Sequence, residues 1–373
     1  MVGRPVVRSF DFDALGTSPH IVVVVRDHMS GVLYSVPHAR AIRRRFPDAK
    51  ITLLTSSYSA PVLDGGTMYY DQVLPLYSFA DEPQRFDRAK DILAKGRTWL
   101  KLVGRVDLVI HLRAVGGSTV LFCALLGNPP QVGHLQVDRL DRLIKYLTAE
   151  PDSTLGSRQR NTLILEEFGI PVESEEMEIE IAPTDLRWAE DWLDRAGHVA
   201  GESVIVAHPG CHWGCNQWLI ERWRATATEL LRVHGGTIVV TGSNRERSMA
   251  QELVDGVDGR CVNSAGETTL GQLAALISLS SLVVAVDTAP TQICQALKIP
   301  AVIMMGDGTM SWNGPIDGEP MVMLQELDPN RPEEICRWSD GACNGPQCTS
   351  RLEGIDVNTV IESAVDVLGA GGA

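Results

Sequence analysis

Residues 282–308 read LVVAVDTAPTQICQALKIPAVIMMGDG, and this stretch decides the fold class. It predicts a buried strand, a tight polar turn at residues 287–290, a short helix and a second buried strand. Pro290 suits the first turn of a helix, where a missing amide hydrogen costs little. The free amides of that turn, with the helix dipole behind them, are typical of a site for an anion such as a diphosphate. An ordinary capped helix between two strands is an equally good interpretation of this stretch alone.

Other apolar runs extend the same pattern over most of the chain. They are rich in Val and Ile and mostly lack polar alternation, which is typical of parallel strands covered on both faces. The predicted strands are Ile21–Arg26, Ile51–Thr55, Asp107–Leu112, Ser203–His208, Thr237–Gly242, Leu282–Asp287 and Ala301–Gly306. The helical patterns are Val36–Phe46, Asp185–Ala196, Trp218–His234, Arg245–Val254, Leu270–Ser278 and Val357–Val367. This alternation predicts a doubly wound α/β fold.

The pattern occurs twice along the chain. We therefore expect one Rossmann-like domain over residues 1–180 and a second over residues 181–356. The acidic segment Glu173–Ile179 (ESEEMEI) is interpreted as the link between them. The final helix, Val357–Val367, is a candidate to pack back on the first domain.

The bulk composition excludes some classes of protein. The chain has 373 residues and a net charge of −14, whereas nucleic-acid-binding domains are usually basic. No apolar run approaches the roughly 20 residues of a membrane helix, and Asp11 and Asp13 near the start do not suit a secretory signal. A cytoplasmic protein is therefore expected. The basic cluster Arg40–Arg45 (RAIRRR) is interpreted as a solvated helix face, with an acidic acceptor or a membrane surface as the alternative.

The eight cysteines give no reason to expect a bound cofactor or metal. Those in or beside apolar segments are expected to be buried thiols, and they are Cys123, Cys261 and Cys294. A zinc site at Cys336, Cys343 and Cys348 is a less favoured alternative, because their spacing lacks the paired C-x-x-C pattern.

Three strand ends in the second half carry small or polar residues. They are residues 207–211 (AHPGC), residues 241–244 (TGSN) and the turn at Asp287. In a parallel sheet all three open at the same edge, where Gly210 and Gly242 let backbone approach a ligand. Together they are suited to hold a ribose, a base and a diphosphate. Glu246 is a candidate to accept hydrogen bonds from ribose hydroxyls, and stabilisation of a helix N-terminus is an equal alternative.

These motifs, in their order along the chain, resemble glycosyltransferase family 9, the heptosyltransferases. Residues 282–308 are similar to its strand–D-[ST]-G-P-x-H-L-A-A-A-L-G–strand signature, and residues 204–231 to its "hPGa…K-x-W" segment. Residues 237–250 are similar to its strand followed by G-x-x-x-E. Residues 21–54 resemble its N-terminal strand, glycine loop and helix, and residues 355–361 resemble its ending. The resemblance implies the GT-B fold, two facing Rossmann-like domains with a cleft between them.

The resemblance also implies an activity. Such an enzyme transfers a heptose or related sugar from a nucleotide diphosphate donor, often ADP-heptose, to an acceptor hydroxyl, with inversion and without a bound metal. A base removes the acceptor proton, and fixed dipoles and cations stabilise the departing diphosphate. The first domain would receive the acceptor, which could be lipid-linked, a small molecule or a natural product, and peripheral membrane contact is compatible with this.

The N-terminal loop departs from the family pattern. The family's loop carries an aspartate that is the proposed base, whereas no acid follows Gly31 here. Asp27 or His28 would serve instead as the catalytic base, although either could equally be a hydrogen-bonded loop residue. Gly31, His111 and Arg113 are the candidate acceptor contacts.

The donor site departs as well. Asn216 replaces the family's lysine, Gln292 its histidine and Ala289 its glycine, and the charge lost at Asn216 could be restored by Arg245 or Arg222. The donor-binding residues that the resemblance implies are Gly210, Asn216, Thr241, Gly242, Ser243, Glu246, Asp287, Thr288, Ala289 and Gln292. These departures leave two alternatives open: a catalytically impaired homologue that only binds nucleotide sugars, and a nucleotide-sugar epimerase or hydrolase.

Overall fold

The computed structural model describes residues 10–25, 29–63, 66, 69–77, 88–112, 117–133, 146–147, 155–211, 216–306, 314–316, 318–325 and 352–370. The chain divides into two compact units, Met1–Glu180 and Ile181–Ala373. Each unit contains its own sheet, and every strand pairing among the described residues is parallel.

The first unit alternates strands and helices. Strands β1 to β6 are His20–Val25, Lys50–Ser56, Gln72–Tyr77, Leu108–Leu112, Gln131–Gly133 and Tyr146–Leu147. Helices α1 to α4 are Met29–Arg45, Arg88–Leu102, Gly117–Ala124 and Ser157–Glu167, and short 3-10 turns lie at Phe12–Leu15 and Ala60–Leu63. The strand order in the sheet is β3-β2-β1-β4-β5-β6.

The second unit repeats this arrangement. Strands β7 to β12 are Val204–His208, Thr237–Val240, Cys261–Asn263, Leu282–Val286, Ala301–Met304 and Met321–Leu324. Helices α5 to α10 are Pro183–Arg195, Ile220–His234, Arg247–Asp255, Leu270–Ser278, Ala289–Leu297 and Val357–Ala370, and a 3-10 turn at Asn244–Glu246 precedes α7. The strand order is β12-β11-β10-β7-β8-β9, which is the order of the first sheet read from the other edge.

The predicted α/β class with two Rossmann-like units is confirmed. Strands β1, β4, β7 and β10 are buried along their whole length, as their mainly apolar sequences favour. In the first sheet, β2 and β3 are added on one side of β1, and β4, β5 and β6 are added on its other side, so the strand order reverses between β1 and β4. In the second sheet the same reversal lies between β7 and β10. Ligands of open α/β sheets bind at the carboxyl ends of the strands beside such a reversal.

The last helix packs differently from the expectation. The sequence made it a candidate to pack on the first domain, but its buried residues Val360, Ala364 and Val367 belong to the core of the second unit. There they join Val302 on β11 and Trp223 on α6. The physical reason is that β10, β11 and β12 leave an apolar face that this helix covers.

Helix α1 starts earlier than the sequence predicted. The sequence pattern predicted a helix over Val36–Phe46, and a proline such as Pro37 normally interrupts a helix when it lies inside one. In the structure it runs from Met29 to Arg45 with Pro37 inside, and it is buried along most of its length. Gly31 is therefore part of its first turn rather than of a glycine loop.

The basic cluster on α1 is neutralised within the first unit. Its four arginines all form ion pairs: Arg40 with Glu178, Arg43 with Asp71, Arg44 with Glu173 and Arg45 with Asp13. Arg40 also donates to the carbonyl oxygens of Ser174 and Glu176, both at 3.1 Å. The acidic segment 173–178 is thus held on α1, so it is more than the link that its composition suggested.

Candidate functional site

Strands β7 and β10 lie side by side, and their carboxyl ends form the centre of the candidate site. Ala285 on β10 pairs with His208, the last residue of β7. Asp287 follows β10, and its amide donates to the carbonyl of Met304 on β11 at 2.9 Å. Thr241 follows β8, the other neighbour of β7, and its amide donates to Ala207 at 2.9 Å. The three predicted strand ends therefore open at one edge of the second sheet.

Two glycines at this edge make room for the carboxylate of Glu246. A Cβ at Gly210 would lie 2.6 Å from Glu246 Oε2, and a Cβ at Gly242 would lie 3.2 Å from the same oxygen. The amide of Ser243 donates to Glu246 Oε2 at 2.6 Å. Glu246 thus stabilises the start of α7, as one of its two interpretations predicted. Among the described residues, its other oxygen, Oε1, accepts no hydrogen bond, which makes it a candidate acceptor for a ligand hydroxyl.

A buried histidine lies beneath these groups. His208 Nδ1 is 2.8 Å from Thr241 Oγ1, and only 8% of His208 is exposed. Burial lowers the pKa of His208 because it disfavours the charged imidazolium, while the nearby Glu246 carboxylate opposes that shift. A neutral imidazole therefore fixes the hydroxyl of Thr241. Sequence reasoning did not include His208 in the binding set, although a polar residue ending an apolar strand was a usable signal.

The turn after β10 offers fewer backbone donors than the sequence suggested. Thr288 is the N-cap of α9 in an extended conformation, and its hydroxyl donates to Val286 O at 3.1 Å. Pro290 has no amide hydrogen, and the amide of Thr291 donates to Thr288 O at 3.0 Å. The amides of Thr288 and Ala289 remain as donors that the helix does not use. Anion binding at this turn therefore depends on two amides and the dipole of α9.

Gln292 and Asn216, which replace a histidine and a lysine of the family pattern, are both buried. Gln292 lies on α9 one turn after its start and is 3% exposed. The side-chain oxygen of Asn216 has no hydrogen-bond partner among the described residues. A buried amide without a partner is unusual, since most such groups are satisfied by protein, water or ligand.

Arg222, one of the two residues expected to replace the lost lysine charge, has another role. Its Nη1 donates to the carbonyl oxygens of Glu353 at 2.5 Å and Ile355 at 2.7 Å, and so ties α6 to the segment before α10. This arginine is therefore a poor phosphate ligand. Arg245, the other candidate, is an exposed residue of the turn before α7.

The candidate residues of the first unit are only partly described. Asp27, His28 and Arg113 lie outside the described residues. Gly31 is buried in the first turn of α1. His111, on β4, has no exposed surface, and its Nε2 is 2.8 Å from Gln131 Oε1. Burial lowers the pKa of His111 to about 4, so it is neutral at physiological pH. This position favours a role in the core over contact with an acceptor.

The other sequence expectations concern metals and membranes. Among the described residues, no group of three or more His, Cys, Asp or Glu side chains is arranged to hold a metal ion. The expected buried thiols Cys123, Cys261 and Cys294 are confirmed as buried and free. The alternative zinc ligands Cys336, Cys343 and Cys348 lie outside the described residues. In the part of the chain that the structure describes, no helix is long and apolar enough to cross a membrane.

The family profile of glycosyltransferase family 9 (heptosyltransferase) matches residues 97–334. The chain belongs to this family. It is therefore a glycosyltransferase, and the resemblance found in the sequence is confirmed. Lipopolysaccharide heptosyltransferase 3 of Escherichia coli K12 is 24% identical to it over 289 residues, which cover 74% of this chain and 79% of that protein.

Solved structures of similar fold span nearly the whole glycosyltransferase. A glycosyl transferase family 9 structure from Veillonella parvula superposes with a TM-score of 0.79 at 19% identity, over 94% of this chain and 97% of that one. The structure of Escherichia coli ADP-heptose LPS heptosyltransferase II superposes with a TM-score of 0.74 at 15% identity, over 95% of this chain and 100% of that one. At these identities the similarity establishes the fold.

Proposed function

We propose that this glycosyltransferase transfers a heptose or a closely related sugar from a nucleoside diphosphate donor to an acceptor hydroxyl. ADP-heptose is the first donor to test, because it is named for the E. coli structure of similar fold. We propose further that the reaction inverts the anomeric centre, requires no metal ion and takes place in the cytoplasm. The acceptor is a small, lipid-linked or natural-product hydroxyl compound.

The observation that carries this proposal is the edge of the second sheet where β8, β7 and β10 end. The Glu246 carboxylate, packed against Gly210 and Gly242, suits the two hydroxyls of a ribose. The turn Asp287-Thr288-Ala289, at the start of α9, suits the diphosphate. Asn216, whose Oδ1 has no hydrogen-bond partner among the described residues, can rotate its amide so that the NH2 group faces a phosphate oxygen.

The chemistry then requires stabilisation of the leaving group and a base. The bond between the anomeric carbon and the diphosphate oxygen breaks, and the electron pair leaves with the nucleoside diphosphate. The dipole of α9 and the amides of Thr288 and Ala289 stabilise that charge. The acceptor oxygen attacks the opposite face of the sugar, and its proton passes to Asp27 or His28, which follow β1 in the sequence. At neutral pH an imidazole has the more suitable unperturbed pKa for this role.

Incubation with ADP-heptose and other nucleotide sugars tests the proposal. Nucleotide release that depends on an added acceptor, and that persists in EDTA, is the expected result. Turnover without an acceptor would instead identify an epimerase or hydrolase. Saturable binding with no product under any acceptor would identify a binding protein, and it would sink the proposed transfer.

Asp287→Ala tests the site itself. We expect at least about a tenfold loss of donor affinity in calorimetry with little change in stability, because Asp287 is only half-buried. Asp258→Ala is the matched control, since it makes the same chemical change in an exposed loop before β9, at the opposite edge of the same sheet. Unchanged affinity in a folded Asp287→Ala protein would place the donor elsewhere.

A further inference from the structure

Two leucines are exposed on the outward face of α2, where a surface helix is normally polar. Leu93 and Leu100 are 61% and 66% exposed, and they lie on one face because seven residues make about two helical turns. The inward face is occupied by other residues: Leu102 is fully buried, and the Thr98 hydroxyl donates to Pro75 O at 2.7 Å. The helix therefore has an apolar surface in addition to the one that it buries.

Leu121 on helix α3 and Leu125 in the turn directly after it add to the same surface. Leu121 and Leu125, one helical turn apart, are 43% and 60% exposed. The Trp99 indole of α2 donates to Leu125 O at 3.0 Å, so the ends of the two helices lie side by side. We call these four residues, Leu93, Leu100, Leu121 and Leu125, the leucine surface. Single exposed leucines are common, but a group of four on neighbouring helices indicates an interaction site.

Cations border the leucine surface. Arg97 and Lys101 are exposed, and helical geometry places them within about a quarter turn of the line from Leu93 to Leu100. Among the described residues, neither side chain has a carboxylate partner. The four arginines of α1, in contrast, all have one. Unpaired positive charge is thus found beside exposed leucines in a chain whose net charge is −14.

We propose that the leucine surface, with Arg97 and Lys101, docks this glycosyltransferase on an anionic lipid bilayer. Leucines on one side and cations beside them are the combination that lies in a membrane interface, with apolar side chains among the acyl chains and cations at the headgroups. The α1 arginines, which the sequence suggested for such a surface, are excluded from this role by their ion pairs. The inference concerns the first unit and does not depend on which sugar the enzyme transfers.

Co-sedimentation of the full chain with lipid vesicles tests the docking. We expect binding to vesicles of phosphatidylcholine and phosphatidylglycerol, little binding to phosphatidylcholine alone, and release at high ionic strength. The Arg97→Gln/Lys101→Gln variant should bind the anionic vesicles about 25-fold more weakly, since each cation near the surface contributes roughly 1 kcal/mol. The Leu100→Gln/Leu125→Gln variant should lose at least about tenfold.

Two control variants test whether any glutamine substitution at an exposed leucine or an arginine weakens vesicle binding. Leu163→Gln alters an exposed leucine on α4, and Arg44→Gln removes an arginine that is already ion-paired, so both should bind vesicles as the wild type does. Donor affinity, measured by calorimetry, should be the same in all four variants and serves as the check on folding. Equal vesicle binding by all variants would overturn the proposal. So would a wild-type dimer that the leucine variants dissociate while vesicle binding persists, because the surface would then join two copies of this chain.

Discussion

The two units of this glycosyltransferase have the same strand order, yet each surrounds a buried histidine in a different way. In the first unit, His111 on β4 bonds to Gln131 on β5, and a Cβ on Gly133 would lie 2.7 Å from both His111 Cβ and its carbonyl oxygen. In the second unit, His208 on β7 bonds to Thr241 beneath an edge where residues 243–245 are exposed. One histidine is enclosed by its own sheet, and the other supports a surface that a ligand can reach.

Because the two sheets share their strand order, the difference between the two histidines comes from the residues that surround them. Both sheets have the reversal of direction where α/β proteins bind ligands. In the second unit, the residues that follow the strands are glycines, hydroxyl residues and carboxylates that hold one another in place. The following predictions test this contrast, from the largest expected effect to the smallest.

Acid should destabilise the first unit strongly. Burial lowers the pKa of both His38 and His111 to about 4, whereas an unfolded histidine has a pKa of about 6.5. Between these values the unfolded state binds the proton and the folded state does not, so stability falls as pH falls from 6.5 to 4. Each histidine should cost about 1.4 kcal/mol per pH unit, or about 4 kcal/mol for the pair at pH 5.

Urea unfolding monitored by hydrogen exchange, at pH 7.5 and at pH 5, measures this loss of stability in each unit. Tryptophan fluorescence reports mainly the second unit, because Trp99 is the only tryptophan before residue 181 in a chain that has eight. His208 shifts in the same direction, so the second unit should show a smaller acid sensitivity. An equal loss in both units would contradict the contrast.

Alanine at the two close-packed glycines should have opposite consequences. In Gly133→Ala, the new Cβ meets the Cβ and the carbonyl oxygen of His111. Gly133 also has a φ of 152°, which an alanine rarely adopts. We expect about 3 kcal/mol of destabilisation in the first unit and unchanged donor affinity of the folded fraction. The atoms nearest to a Cβ at Gly210 belong to the end of the Glu246 side chain, which can swing away at the loss of its bond to the Ser243 amide. Gly210→Ala should therefore cost no more than about 1 kcal/mol of stability and weaken donor binding about tenfold. Chemical denaturation and calorimetry on both variants measure the two effects.

Removing the hydrogen-bond partner of each histidine should change the free energy of unfolding less than Gly133→Ala does. Gln131→Met leaves His111 Nε2 buried without its acceptor and should cost about 2 kcal/mol of stability, with no effect on the donor. Thr241→Val removes the partner of His208 Nδ1, and we expect a several-fold loss of donor affinity besides a similar stability cost. Thermal unfolding together with donor titration distinguishes the two outcomes. A donor effect for Gln131→Met would show that the first unit's histidine also belongs to the site.

The smallest effect concerns the arginines of α1. Arg40 is 15% exposed and binds Glu178 and two carbonyls, so Arg40→Ala should cost the first unit about 1 to 2 kcal/mol. Arg44 is 56% exposed, and Arg44→Ala should change stability by less than about 0.5 kcal/mol. Equal costs in urea unfolding would mean that burial does not distinguish these ion pairs.

Much of the fold was predictable because its signals are local. Apolar runs rich in Val and Ile located β1, β4, β7 and β10 within a residue or two, and α8 has the predicted ends. Short strands such as Gln131–Gly133 have too few residues to make a pattern, and Pro37 hid the first turns of α1. In the second unit, the sequence indicated that strand ends with small and polar residues lie at one edge of the sheet, and the strand pairing confirms this placement. The donor-binding roles of these residues stay a prediction, and the hydrogen bonds among them had no signal in the sequence.

Most of what the sequence did not predict depends on contacts between residues that are far apart in the chain. The bond from Arg40 to Glu178 joins residues 138 positions apart, so the acidic segment resembled a linker until its partner was known. His111 lies one residue before the end of β4 and was a candidate acceptor contact, but Gln131 and Gly133 on the neighbouring strand enclose it. In both cases the missing information was which side chain lies opposite.

The packing of α10 affects how the protein is made. Val360, Ala364 and Val367 complete the core of the second unit, so its hydrophobic interior stays open until the ribosome has translated past residue 367 and released that helix from the exit tunnel. The first unit, closed by Glu180, can fold while the second is still being synthesised. Premature termination before residue 357 would therefore leave a finished first unit joined to an exposed, aggregation-prone sheet.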